Sequence, residues 1–368
     1  MHETDHASRP PLAGAAGLLA AIAALALVAL SGSASSSSAA APTLAQLVGQ
    51  HLLVRMQGST PSAAFLRRIR EGEIGGVVLF QDNATPAGVP ALVAKLQAAA
   101  HAGGQLPLLV AVDQEGGIVK RLPGPPTAAP GAMKSAAAAR AQGLAAGRYL
   151  RGLGIDDDLA PVLDVPAGPS AFIFTRAFST SPSLVATRGV SFAQGVVAGG
   201  VAATAKHFPG LGRVAETTDA SSATVLASRT ALARDLIPFR QAIAAGVPSI
   251  MVGTAIYPAY GDRLPAACSP AIVTKLLRET LHFRGVTVSD DLDTAAVSSH
   301  FAPPQAAVQA VRAGIDLVFV AGVGGSGGDA VGEDSYAALL RAAQTGRLSR
   351  SSLEASYTRI AALKRRFS

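Results

Sequence analysis

Three stretches of the chain gather side chains that could do chemistry. From Ala205 to Asp219 an apolar run ends in Lys206 and His207, breaks at Pro209, Gly210 and Gly212, and passes into a loop bearing Glu216, Thr217, Thr218 and Asp219. From Val110 to Arg121 a second apolar run ends in Asp113, followed by Glu115, Gly116, Gly117, Lys120 and Arg121. From Gly285 a third run ends in Asp290 and Asp291. Burying such groups without purpose is costly, so charge at the ends of apolar runs marks the mouth of a site. Asp113 suits hydroxyl groups, because a carboxylate accepts hydrogen bonds from two vicinal sugar hydroxyls. Arg176 offers a fork of donors and Lys206 three more, and together these suit a polyhydroxylated substrate. Asp290 could attack a carbon electrophile or hold a cation. His207 is the only histidine among these groups and no His/Asp cluster has ligand spacing, so no metal site is expected. No cofactor is expected either, since Asp113 and Glu115 would repel a phosphate at the Gly116-Gly117 turn.

Elements that could position these residues follow from the apolar pattern. Eight short apolar runs read as strands: Leu52–Met56, Gly76–Phe80, Leu108–Asp113, Leu159–Val165, Val201–Lys206, Ser249–Thr254, Val286–Ser289 and Leu317–Val320. Between them lie stretches of helical spacing, among them Ala63–Glu73, Met133–Leu153, Ser183–Ala198 and Pro304–Ala313, and two more follow the last strand. Strand and helix alternating about eight times predict a closed (β/α)8 barrel of the α/β class. In that fold the active site lies at the C-terminal ends of the strands, where Asp113, Asp164, Lys206, His207, Asp290 and Asp291 all fall. The domain is expected over residues 43–368. Asp164, near Pro161 and Pro166, reads equally as a loop brace. The glycine run 322–328 has no Arg or Lys beside it and reads as a surface loop.

Residues 1–42 read differently. Pro11 to Leu30 is an almost unbroken Ala/Leu/Val run, followed by a Ser/Ala-rich stretch that a signal peptidase would accept. Export is expected, by a cleaved signal peptide or an uncleaved membrane anchor. Cys268 is the single cysteine, so the fold must hold without an internal disulfide. With 49% hydrophobic residues in 368, the chain can bury a core large enough for that. The net charge of +7 favours anionic surfaces such as cell wall or lipid headgroups. Nucleic acid is not an expected partner, because there is no long basic run and no Trp for stacking.

The ordered motifs resemble glycoside hydrolase family 3, and within it the single-domain β-N-acetylhexosaminidases of bacterial cell-wall turnover. The pieces are Gly75-Gly-Val-Val-Leu-Phe80, Val112-Asp-Gln-Glu-Gly-Gly117, Leu159-Ala-Pro-Val-Leu-Asp-Val165, Thr175-Arg-Ala-Phe178, Lys206-His-Phe-Pro-Gly210, Val288-Ser-Asp-Asp-Leu292 and Ala313-Gly-Ile-Asp316. The resemblance implies a retaining mechanism with Asp290 as nucleophile. It also implies that Asp113, Arg121, Arg176, Lys206 and His207 bind the sugar, which would be a carbohydrate substrate such as a peptidoglycan fragment. The family pattern further implies an Asp and His pair on the loop after the fifth strand. Here Asp219 matches the Asp, but Ser221 stands where the His is expected, and a serine hydroxyl is no general acid near neutral pH. Thr254 likewise stands where relatives often carry a His.

Three outcomes fit that departure. Asp219 or Glu216 transfers the proton, the substrate has a leaving group that needs little acid help, or the protein binds sugar without cleaving it. A lysine at a strand end also admits a Schiff-base aldolase with Lys206 as nucleophile.

Overall fold

The computed structural model describes residues 41–322 and 328–368. The export segment read over residues 1–42 and the glycine run lie, but for their edges, outside the described residues. Thr43 caps the helix Leu44–Gln50: its side chain accepts from the Gln46 amide, while the Gln46 side chain accepts from the Thr43 amide.

Eight parallel strands follow: β1 Leu52–Arg55, β2 Gly76–Leu79, β3 Leu109–Val112, β4 Asp157–Asp158, β5 Ala202–Phe208, β6 Ser249–Val252, β7 Val286–Ser289 and β8 Val318–Val320. Each pairs with its sequence neighbour, and β1 returns to β8 through Leu52 opposite Val318. The last seam, β7 to β8, closes through a Val288–Leu317 bridge and the Ser289 amide donating to Leu317 O at 2.9 Å. The expected barrel is therefore the observed one.

The fourth strand is shorter than its apolar run predicts, and lies earlier. Only Asp157 and Asp158 ladder with β3 and β5, because Pro161 has no N–H to continue the pairing. Beyond them only a single bridge, Val162 to Lys206, ties the segment to β5. The stretch of helical spacing from Ala231 to Ala245 belongs to two helices, Arg229–Asp235 and Ile237–Ala244, since Pro238 lies in the first turn of the second.

Alternation along the strands builds two layers of core. Leu52, Val54, Val77 and Val110 face the surrounding helices. Leu53, Val78, Leu109, Ala111, Met251, Val288 and Leu317 form a second buried cluster that also contains Ile360, Leu363 and Phe367 of the last helix, Arg350–Phe367. That helix thus packs against the strands' inward set. Its Lys364 is buried, donating to Gln50 Oε1 and Gly75 O at 2.6 Å each.

Candidate active site

The chemistry-bearing residues meet in one cavity of about 220 Å³ at the C-terminal ends of the strands. Asp113, Arg121, Arg176, Lys206, His207, Asp219, Asp290 and Asp291 line it, with Phe80, Phe172, Met251 and Phe319 among its apolar walls.

Its floor is an ion cluster. Lys206 Nζ donates to Asp113 Oδ1 at 2.6 Å and lies 2.8 Å from Glu115 Oε1. Arg121 reaches Asp113 Oδ2 at 3.3 Å, and Arg176 forks onto Glu115 at 2.6 and 2.9 Å. A short hairpin, Gln114–Gly116 against Val119–Lys120, carries Arg121 back to Asp113. Burial would raise Asp113, but the Lys206 and Arg121 charges hold it at about 2. Burial would likewise lower Lys206, yet Asp113 and Glu115 raise it, so it stays an ammonium. An ammonium with two carboxylate partners is no nucleophile, and the aldolase reading of Lys206 finds no support in this geometry.

His207 follows Lys206 on β5, and both side chains reach the cavity. A regular strand would send them to opposite faces, but the β5–β6 register shifts between Ala205 and Phe208. The peptide between them is cis. His207 Nδ1 lies 2.7 Å from Asp164 Oδ2, and Asp164 Oδ1 also accepts the His207 and Leu211 amides. Asp164 is wholly buried and braces both ring and loop, one of the two roles read for it.

Asp290 stands just past the end of β7. Its amide donates to Val252 O at 2.8 Å, while its Oδ1 accepts the Asp291 amide at 2.9 Å. Burial raises this carboxyl above its ordinary range, countered by His207 and reinforced by the nearby Asp219 charge.

The loop after β5 closes one side. Tyr257 Oη donates to Gly210 O at 2.8 Å, and Gly212 lies where a Cβ would come within 1.8 Å of Val165 O, so no larger residue fits there. The Ala295 and Ala296 amides, on the short helix Ala295–Ser298 after β7, donate to Asp219 O and Thr218 O at 3.2 Å. These bonds bring Asp219 to the cavity beside Asp290. Glu216 is exposed and lines no part of it, so of the two loop carboxylates named from the sequence only Asp219 faces the site. Ser221 and Thr254 do not line it.

For three participants the sequence placed a charge near a strand end without showing its partners. Glu115, one residue from a glycine pair, holds both Lys206 and Arg176. Asp164 orients His207, and Asp291 forms part of the wall. Among the described residues no group of three or more His, Cys, Asp or Glu side chains is arranged to hold a metal ion.

A closed parallel barrel with carboxylates and a cationic cluster at its C-terminal rim is an arrangement that an O-glycosyl hydrolase can use. Residues 43–363 match the glycosyl hydrolase family 3 N-terminal domain, and the chain belongs to that family. It is 33% identical over 342 residues to an uncharacterized secreted glycosyl hydrolase of Arthroderma benhamiae, covering 90% of this chain and 96% of that protein. A family 3 β-N-acetylglucosaminidase from Paenibacillus sp. superposes with a TM-score of 0.84 at 37% identity, over 89% of this chain and 63% of that one. A β-N-acetylhexosaminidase from Beutenbergia cavernae gives 0.79 at 34% identity, over 88% of this chain and 99% of that one.

Proposed function

We propose that this protein is an exported, retaining, exo-acting β-N-acetylhexosaminidase in which Asp290 is the nucleophile and Asp219 the proton donor. The observation that carries the reading is the joint placement of these two carboxylates in the cavity that also holds the Asp113, Arg121, Arg176, Lys206 and His207 cluster. A cavity of about 220 Å³ suits one terminal sugar. The relatives named for N-acetylglucosaminidase and N-acetylhexosaminidase activity support an amino sugar, and peptidoglycan fragments are the substrates to try first. The relative named as secreted supports export, as does the apolar run Pro11–Leu30.

In the first step an Asp290 oxygen bonds to the anomeric carbon as the glycosidic C–O bond breaks, and Asp219 gives its proton to the departing oxygen. In the second, water attacks that carbon, Asp219 takes the water's proton, and the bond to Asp290 breaks. Asp113 and the cations hold the sugar hydroxyls, so reacting atoms need no search for alignment. His207, fixed through Asp164, presents its other ring nitrogen to the sugar.

The test is mass spectrometry after treatment with a fluorinated, mechanism-based N-acetylglucosaminyl inactivator. The expected adduct is on Asp290. An adduct elsewhere overturns the assignment, and saturable sugar binding with neither turnover nor adduct would show a binding protein instead. N-terminal sequencing of protein recovered from the culture medium tests export: removal of residues before Thr43 is expected, and retention of the protein inside the cell argues against it.

A further inference from the structure

A cavity of about 220 Å³ that takes one terminal sugar leaves the departing group outside its mouth, against whatever surface lies there. Among the described residues four large apolar side chains are exposed: Ile118, Phe174, Leu184 and Leu226. All four lie on stretches leading from the C-terminal end of a strand into the next helix, Leu184 in that helix's first turn, and so at the barrel end that holds the cavity. Single exposed apolar side chains are ordinary, and only their position gives these a meaning. Ile118, 74% exposed, is followed by Val119, which lines the cavity, and Phe174, 40% exposed, comes two residues after Phe172, which lines it also. The residues flanking Leu184 and Leu226 line no part of it. The turns that carry Ile118 and Phe174 are tied together. Gly117, at φ 67°, bends the hairpin against Ala129 and Pro130, and the short turn Pro130–Ala132 packs on the turn Phe174–Arg176. Arg176 reaches back from there to Glu115 of the hairpin. Phe80, across the cavity wall, is already engaged: the Arg55 and Arg121 guanidiniums lie over its ring at 4.5 and 5.1 Å from the centroid, and Phe319 stacks with it.

We infer that Ile118 and Phe174 receive the leaving group, and that this group is apolar, an alkyl or aryl group β-linked to the sugar. The inference rests on the reading of the cavity as the site of a terminal N-acetylamino sugar. Along the path out of the barrel the chemistry changes: charged groups that suit hydroxyls lie inside, while Val119 and Phe172 lead to Ile118 and Phe174 outside. That order matches a substrate with a polar head and an apolar tail. A hydroxylated leaving group gains no hydrogen bond from these two side chains and loses water against them. An apolar one removes its own surface and theirs from water. The Arg176–Glu115 pair and the Pro130 turn hold both side chains' backbones in advance, so little ordering opposes binding.

The experiment measures, by calorimetry on the full chain, the binding of 1-thio-β-N-acetylglucosaminides that carry methyl, butyl or hexyl groups and resist hydrolysis at sulfur. Excess N-acetylglucosamine, as displacing ligand, isolates the signal of the sugar site. In the native chain affinity is expected to rise about thirtyfold from methyl to hexyl, roughly twofold for each methylene, as for groups half removed from water. Ile118→Ser combined with Phe174→Ser should leave methyl binding as it was and flatten that rise to about threefold or less. Phe174→Leu, which keeps an apolar side chain, should retain most of the slope, and Leu226→Ser, exposed but away from the cavity, should retain all of it. A native series that binds without regard to chain length overturns the inference while leaving the sugar site intact. So does a rise undiminished in the paired variant, or an equal flattening by Leu226→Ser. Absence of displaceable binding by every member of the series instead overturns the reading on which the inference rests.

Discussion

Asp290 and Asp219 differ in what each should do to the rate, and that difference separates their roles. On the proposed mechanism Asp290→Asn removes the attacking oxygen, and turnover should fall by about 10⁴-fold or more whatever the leaving group, some 5 kcal/mol in barrier. Asp219→Ala should cost roughly 10²- to 10⁴-fold on substrates with a sugar leaving group and far less on nitrophenyl glycosides, which leave without a proton. Equal losses on both substrate types would remove Asp219 from the acid role. The pH profile adds a sign. A nucleophile must be ionised, and burial raises Asp290, so the acid limb should lie above the ordinary carboxylate range and activity should fall as pH drops through it. Much of this site was legible in the sequence because a charged group at the end of an apolar run must either be used or be left buried at a cost. The partners of Glu115, Asp164 and Asp291 were not legible, because they are distant in the chain: Glu115 meets Arg176, Asp164 meets His207 and Asp291 meets Ala321. Residue type alone does not say who meets whom.

At the scale of elements, the seam between the loop after β5 and the turn after β7 sets where Asp219 stands. The Ala295 amide holds Asp219 O, and Ala295 is the first residue of its helix, where proline is well tolerated. Thr294 before it is already extended, at φ −102° and ψ 159°, as a residue preceding proline must be. Ala295→Pro therefore deletes one hydrogen bond and sets a ring carbon where the amide hydrogen met Asp219 O, so the loop must draw back while the helix stays in place. We expect turnover of sugar-leaving substrates to fall about tenfold, from a proton donor less well held, while nitrophenyl glycosides and thermal stability change little. Equal losses on both substrates would mean that the loop shapes sugar binding instead. The eight-strand count was legible because each run is short, apolar and followed by helical spacing. The place of the fourth strand was not, because Asp157 and Asp158 look like solvent-facing residues until their partners are known. Thr204 Oγ1 donates to both oxygens of Asp157 at 2.9 Å, and the Gln114 amide donates to Asp158 Oδ1 at 3.0 Å.

For the whole molecule, those interior acids and Lys364 pull stability in opposite directions across neutral pH. Burial raises Asp157 to about 7, with the Thr204 hydroxyl opposing and Asp156 reinforcing, and burial raises Asp156 to about 6. A group raised on folding contributes stability that is complete below its unfolded value and is lost as pH climbs through the folded one. Stability from these acids should therefore fall between about pH 4 and 7, by something on the order of 4 kcal/mol for Asp157 alone. Burial lowers Lys364 to about 7, with Asp156 opposing, so between there and about 10.5 the unfolded chain binds the extra proton and stability should rise with pH. At the acid end Asp113, held at about 2, contributes stability above its unfolded value that is lost as pH falls through the folded one. His51, lowered chiefly by burial, tilts the neutral region the other way. Asp158, raised well above its ordinary range by burial, carries the fall of the acids further upward and opposes the Lys364 rise above pH 7, so the descent between about pH 4 and 7 is the part of the profile on which the interior acids agree. Urea denaturation at pH 4.5 and 7 should give the lower midpoint at pH 7, and Asp157→Asn should flatten the descent between them. A midpoint climbing from pH 4.5 to 7, or an Asp157→Asn variant with an undiminished descent, would show that Asp157 holds no proton in the folded barrel.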